Sequence, residues 1–172
     1  MRDSQTRRAR ILAASLLAVL GLGLPTLAKP APYLIYNASA SAPLGFYRLI
    51  SADHLDRGDL VLAHLPQPAA RLAADRRYLP MSVPVVKRAA ALAGDLVCAD
   101  SGIVVINDRV AAETLLIDRE DRPLPAWHGC RTLAPGEVFL LMEGVPASFD
   151  GRYFGPIPVT SVIGRLVPLW TW

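Results

Sequence analysis

Two patterns of apolar residues divide the chain. The first is a single block, "ILAASLLAVLGLGLPTLA" from Ile11 to Ala28, eighteen residues without a charge behind Arg2, Arg7, Arg8 and Arg10. That length is close to the minimum that spans a hydrocarbon core of roughly 30 Å. Basic residues ahead of such a block stay on the cytoplasmic side, which directs everything after Lys29 outward. A retained anchor and a cleaved signal peptide both fit this pattern. The run length favours the anchor, although Gly21, Gly23 and Pro25 weaken its helix; Thr26-Leu27-Ala28 is an imperfect small-x-small cleavage site. Either way the rest of the chain is exported, and the expected organisation is a tip and membrane segment over 1–28 and one exported domain over 29–172.

The second pattern is a series of short apolar runs broken by Gly, Pro and Asp. "FYRLI", "DLVLAHL", "VPVVKRAAAL", "DLVCA", "GIVVIN", "EVFLLM" and "SVIGRLVPLW" read as strands. Asn107-Asp108, between two of these runs, reads as a hairpin turn. Only Ala69 to Tyr78, "AARLAADRRY", has a helical look, and fifteen prolines argue against a helical domain. The expected fold is mainly β. The polar segment from Thr114 to Arg131 reads as an irregular, solvated excursion, and Gly94-Asp95 as a turn between strands.

Charge narrows the function classes. The net charge of +3 comes entirely from the N-terminal tip, because from Ile11 onward fourteen basic residues face fourteen acidic ones. A nucleic-acid binder needs a basic patch on its folded part, and none is visible. Cys98 and Cys130 are the only cysteines. In an oxidising compartment such a pair commonly forms a disulfide, worth about 3 kcal/mol for a loop of this size; two independent buried thiols are the alternative. Neither lies in a set of ligands at zinc spacing, so no metal and no cofactor is expected.

A serine hydroxyl attacks only when something takes its proton. His54, His64 and His128 sit in turn-like or proline-rich contexts without a Ser-His-Asp signature. Lysine is the other candidate base, and the chain has two against sixteen arginines. Lys29 follows the apolar block directly and suits a membrane interface. Lys87 lies in an apolar run, where its bland reading is a side chain reaching outward to water. Burial would lower its pKa and make it a base, which Arg88 cannot be.

The motifs sharpen this. Ser41-Ala42-Pro43-Leu44-Gly45-Phe46 comes soon after the apolar block, then "KRAAALAGD" from Lys87, then "SFDGRYFGP" from Ser148. Their order resembles the signal peptidase I superfamily of Ser/Lys proteases, a signal-peptidase-like or LexA-like β fold. "NASASAPLGFYR", "VKRAAALAGD", "WHGCRTLAPGEVFLL" and "SFDGRYFGP" are similar to its TraF-type conjugative-transfer branch. The resemblance implies Ser41 as nucleophile, Lys87 as general base and Ser39 as an oxyanion-hole hydroxyl beside the Ser41 N–H. It further implies that Ser148 hydrogen-bonds the lysine and that Asp150 is a supporting acid. Asp150 and Arg152 alternate on what reads as a strand, so they are expected to pair and form a wall behind Lys87. Pro43 and Gly45 are expected to shape the turn that presents Ser41.

Two departures stand out. One residue, Ala42, separates serine from proline where typical signal peptidases have two, which favours the TraF branch. The usual Gly-Asp-Asn-Arg is replaced by "EGVPA", Glu143 to Ala147, and Gly151 stands where serine is frequent. The resemblance implies a membrane-associated serine endopeptidase that processes, and in some relatives cyclises, the pilin precursor of a conjugative system. It would work at the periplasmic side of the inner membrane, tethered by its N-terminal segment or released if that segment is cleaved. Its implied partners are the pilin precursor, inner-membrane lipid and mating-pair components, with no nucleic acid. A general type I signal peptidase and a non-catalytic, membrane-tethered β module of a secretion assembly are the competing readings.

Overall fold

The computed structural model describes residue 7, residues 10–21 and residues 33–172. The chain separates into two compact units, Met1–Pro32 and Tyr33–Trp172. The first unit contributes helix α1 over residues 10–21, with its leucines exposed. Among the described residues no helix is long and apolar enough to cross a membrane. Most of the second half of the apolar block, the Thr26-Leu27-Ala28 site, Lys29 and the expected boundary at 28/29 lie outside the described residues.

The second unit is mainly β, as expected. It runs β1 (Leu34–Asn37), β2 (Gly45–Ile50), β3 (Leu60–Ala63), α2 (Gln67–Asp75), β4 (Val85–Leu92), β5 (Leu96–Asp100), β6 (Ile103–Ile106), β7 (Arg109–Glu113), β8 (Gly129–Thr132), β9 (Glu137–Leu141), α3 (Gly151–Phe154), β10 (Ile157–Pro158) and β11 (Val162–Thr171). A seven-stranded sheet has the order β1-β2-β11-β3-β4-β9-β10, and a four-stranded sheet the order β7-β6-β5-β8. Every pairing is antiparallel.

Side-chain alternation explains the register. In β2, Gly45, Tyr47 and Leu49 turn inward while Phe46 and Arg48 face out. Such a strand is fixed in register, since a one-residue slip would expose its whole apolar set. Tyr47 and Leu49 pack with Ala42, Leu62, Val86 and Met142, and this cluster lies under the loop that joins β1 to β2. β4 and β9 pair along their length, Arg88 opposite Leu141 and Leu92 opposite Val138, with a bulge between Ala89 and Ala91. They supply Ala91, Phe139 and Leu141 to a second cluster beneath the four-stranded sheet.

Asn107 and Asp108 both have positive φ, 47° and 64°, in the tight turn joining β6 to β7, as the hairpin reading requires. Cys98 and Cys130 stand opposite each other on β5 and β8 and are joined by a disulfide. The excursion from Thr114 is more ordered than its composition suggests. Asp118 accepts from Tyr78 and Arg122 and pairs with Arg76, which ties the excursion to the end of α2, and its last residues form β8.

Gly45 does a different job from the one expected. It opens β2 rather than lying within the turn. A Cβ there would sit 2.1 Å from the Trp170 carbonyl oxygen on β11, and its φ is +138°. Glycine is required for the close approach of two strands.

Candidate active site

One residue absent from the sequence-based candidates organises the loop that carries the serines. Asn37 ends β1 and is 4% exposed. Its side-chain amide donates to the carbonyls of Ser39 (3.0 Å), Ala42 (3.1 Å) and Pro43 (3.0 Å). Its Oδ1 accepts from the Ser39 N–H at 3.1 Å. Tyr47 adds a further tie, its hydroxyl donating to the Pro43 carbonyl at 2.6 Å. The sequence signal for Asn37 is its place two residues before Ser39, where an asparagine side chain reaches the backbone N–H two positions on.

This loop sets Ser41 in a cleft of about 310 Å³ lined mainly by Ala40, Pro43, Leu44, Met142, Val145 and Trp172. The Ser39 and Ser41 hydroxyls are 2.9 Å apart, and the Ser41 N–H reaches Ser39 Oγ at 3.4 Å. Lys87 projects from β4, opposite Val61, toward the same point. Its Nζ donates to Ser41 Oγ at 3.1 Å and to Ser148 Oγ at 2.8 Å. Among the described residues, no histidine side chain is a hydrogen-bond partner of Ser41 or Lys87.

Lys87 is 4% exposed, so the outward-reaching reading does not hold. Burial pushes its ammonium down from 10.5 to about 8; Asp150 nearby works against this shift, and Arg152 adds to it. Roughly a tenth of the amine is therefore neutral near pH 7, far more than in an ordinary lysine. Placed at hydrogen-bond distance from Ser41, such an amine is able to accept the hydroxyl proton.

Behind Lys87 stands a buried ion pair. Asp150 is 0% and Arg152 1% exposed. Arg152 donates to Asp150 through Nε at 2.9 Å and through a terminal nitrogen at 2.8 Å. The remaining guanidinium hydrogens reach the carbonyls of Glu113 (3.1 Å), Pro146 (3.3 Å) and Val145 (2.8 Å). Asp150 also accepts from the Met142 N–H at 3.1 Å. Together the pair closes the loop Glu143–Ala147, which delivers Ser148 to Lys87. The pairing is as expected, but the backbone is a helical turn and not the expected strand. Asp150 is the N-cap of the one-turn helix α3, and its carboxylate accepts from the Arg152 N–H. A carboxylate satisfying a first-turn N–H favours a helical turn over extended backbone.

Gly151 has a steric reason. A Cβ at this position would lie 2.6 Å from the Leu140 carbonyl oxygen and 2.9 Å from the Phe139 ring, so no serine fits there. Gly94-Asp95 is the expected turn. Asp95 is buried and engages Arg57, Asn107 and the Leu92 N–H, with no tie to Ser41. Among the described residues no group of His, Cys, Asp or Glu is arranged to hold a metal ion.

In this mainly β domain a buried lysine thus lies between two serines, Ser41 and Ser148. The chain belongs to the signal peptidase S26 family, whose sequence model matches residues 7–171. The family's activity is that of a serine peptidase. Within it, the chain is similar to the plasmid transfer protein TraF of Escherichia coli, 31% identical over 166 residues that cover 89% of this chain and 93% of that protein. It is also similar to the conjugal transfer protein TraF of Agrobacterium fabrum, 33% identical over 144 residues covering 78% and 81% of the two chains. Among solved structures it resembles a signal peptidase I from Enterococcus faecalis, at 22% identity and a TM-score of 0.40, over 67% of this chain and 98% of that one.

Proposed function

We propose that this protein is a Ser/Lys endopeptidase that processes the pilin precursor of a conjugative transfer system. The observation that carries the chemistry is the contact between a buried lysine and Ser41 Oγ at 3.1 Å. In this reading the neutral Lys87 amine takes the Ser41 proton as Oγ attacks a peptide carbonyl. The tetrahedral oxyanion is met by the Ser41 N–H and the Ser39 hydroxyl. Collapse leaves an ester on Ser41, and the Lys87 ammonium returns its proton to the departing amine. Ser148 holds the lysine on line, while Asp150 and Arg152 support the loop that carries Ser148. Water then resolves the ester, or the pilin's own N-terminal amine attacks it and closes a ring.

The substrate assignment draws on the TraF relatives. A position at the periplasmic face of the inner membrane fits the surface beside the cleft, where Tyr33, Leu34, Tyr36, Phe46, Trp170 and Trp172 are exposed. Tyr36 packs on Phe46 and Trp172, making one aromatic rim. Tyrosine and tryptophan favour the boundary between lipid and water. Mating-pair components are the partners this location would offer.

Incubating the full-length protein with the pilin precursor and weighing the products tests the assignment. A shortened pilin is expected, and ring closure would leave it lighter than the hydrolysed product by one water. An unchanged precursor would overturn the substrate assignment. The same assay grades the oxyanion donors. Ser39→Ala removes one donor and keeps the nucleophile, so the rate is expected to fall by about 10²-fold. A wild-type rate in Ser39→Ala would remove that hydroxyl from the mechanism.

A further inference from the structure

We infer that Asn37 is a positioning residue for acyl transfer, aiming the nucleophile loop so that the Ser41 N–H faces the reacting carbonyl. This rests on the Ser41/Lys87 reading above. The argument begins with a count of donors. The carboxamide nitrogen carries two hydrogens, yet three carbonyl oxygens converge on it, those of Ser39, Ala42 and Pro43. At least one hydrogen is shared, and the site accepts only a group that donates. The Ala42 bond is buried, so its carbonyl has no water to turn to if the amide is lost.

The consequence is electrostatic. Three peptide groups flanking Ser41 have their negative ends gathered on one interior nitrogen. The Ala42 N–H is turned back as well, onto the Ser39 carbonyl at 3.4 Å. The Ser41 N–H lies between these groups, and its one acceptor is Ser39 Oγ at the long distance of 3.4 Å. It is the donor left available for a developing oxyanion. Donors of this kind work because they are already aimed before charge develops. Without the Asn37 amide the carbonyls must find other partners, the peptide planes turn, and that aim is lost. Ground-state binding in the apolar cleft depends on other side chains, so the loss falls on the rate of acylation and spares affinity.

An activated ester reads this step without a known peptide substrate. With p-nitrophenyl acetate, Ser41 Oγ bonds the acetyl carbon, the bond to the aryl oxygen breaks, p-nitrophenolate leaves, and the serine proton passes to Lys87. The burst of p-nitrophenolate from full-length protein in detergent micelles gives the acylation rate constant and the half-saturating ester concentration. Asn37→Ala is expected to lower the rate constant roughly ten- to a hundredfold, with the half-saturating concentration unchanged. Asn37→Gln keeps both amide hydrogens on a longer stem and should recover part of the rate. A wild-type rate constant in Asn37→Ala, or a loss that appears only in the half-saturating concentration, would overturn the assignment. So would a Gln variant no faster than Ala when both melt at the wild-type temperature. A wild-type burst no larger than that of Ser41→Ala would instead overturn the Ser41/Lys87 reading beneath it.

Discussion

Lys87→Arg is expected to lower substrate processing by about 10³-fold or more in a protein that remains folded. Arginine keeps the charge and much of the length but does not release its proton at any working pH. A role for Lys87 in ion pairing or packing would tolerate the change far better. The same side chain sets the pH dependence. With a folded-state pKa of about 8, the neutral amine falls tenfold for each pH unit below that value. Activity should therefore rise from pH 6 and level off above about 8.

Stability should carry the matching sign. Between about 8 and 10.5 the folded protein holds fewer protons on Lys87 than the unfolded chain does. The unfolded state therefore gains stability as pH falls through this window, and the fold loses it. Below about 8 the full penalty is present, on the order of 3 kcal/mol. Lys87→Met, which removes the buried charge, should be more stable than wild type at pH 7 and inactive. Thermal melts at pH 7 together with a pH–rate profile check both halves. Activity that falls from pH 6 to 9, with Lys87→Met no more stable than wild type, would contradict the buried-amine account.

Asp150→Ala is expected to lose about 3–5 kcal/mol of stability and most activity. Arg152 is 1% exposed, so removing its carboxylate leaves an uncompensated guanidinium in the interior. The damage extends further, because the Met142 N–H loses its acceptor and Arg152 loses the anchor from which it holds Val145 and Pro146. The loop carrying Ser148 would then no longer fix Lys87. Replacing both residues of the pair with apolar ones should harm stability less than Asp150→Ala while still lowering activity. Urea denaturation of the single and double variants separates the terms. A loss below about 1 kcal/mol in Asp150→Ala would show that the pair does not hold the loop.

Strands were legible in the sequence wherever one face is buried and the other wet. β2 alternates cleanly, and β4, between β3 and β9, reads as an apolar run interrupted by Lys87 and Arg88, of which only Arg88 is exposed. β8 is exposed at all four residues, so nothing in its side chains marks it; backbone pairing to β5 and the Cys98–Cys130 disulfide define it. β1 was hidden by its closeness to the serine-rich loop. The helix expected over Ala69 to Tyr78 runs instead from Gln67 to Asp75, starting at a proline in its first turn and stopping before Arg77, whose φ is +60°.

At the site, residue types and motif order pointed to Ser41, Lys87 and Ser148, which the fold brings within 3.1 Å contacts of one another through the lysine. Spacing misled at Asp150 and Arg152. Residues two apart suit one face of a strand, but here a capped helical turn and a guanidinium folded back on its neighbour bring them together. Asn37 left only a local trace, its place two residues before Ser39, since the rest of its work is done on backbone carbonyls, which carry no sequence signature.

The most direct test of the Ser41/Lys87 mechanism is to trap the ester. Full-length protein is mixed with the pilin precursor, quenched in acid, digested and mapped by mass spectrometry. The mechanism predicts a substrate fragment attached to the peptide containing Ser41 in the wild type, and none in Ser41→Ala or Lys87→Arg. Processing of the precursor by Ser41→Ala, or an adduct that forms equally well in Lys87→Arg, would contradict it.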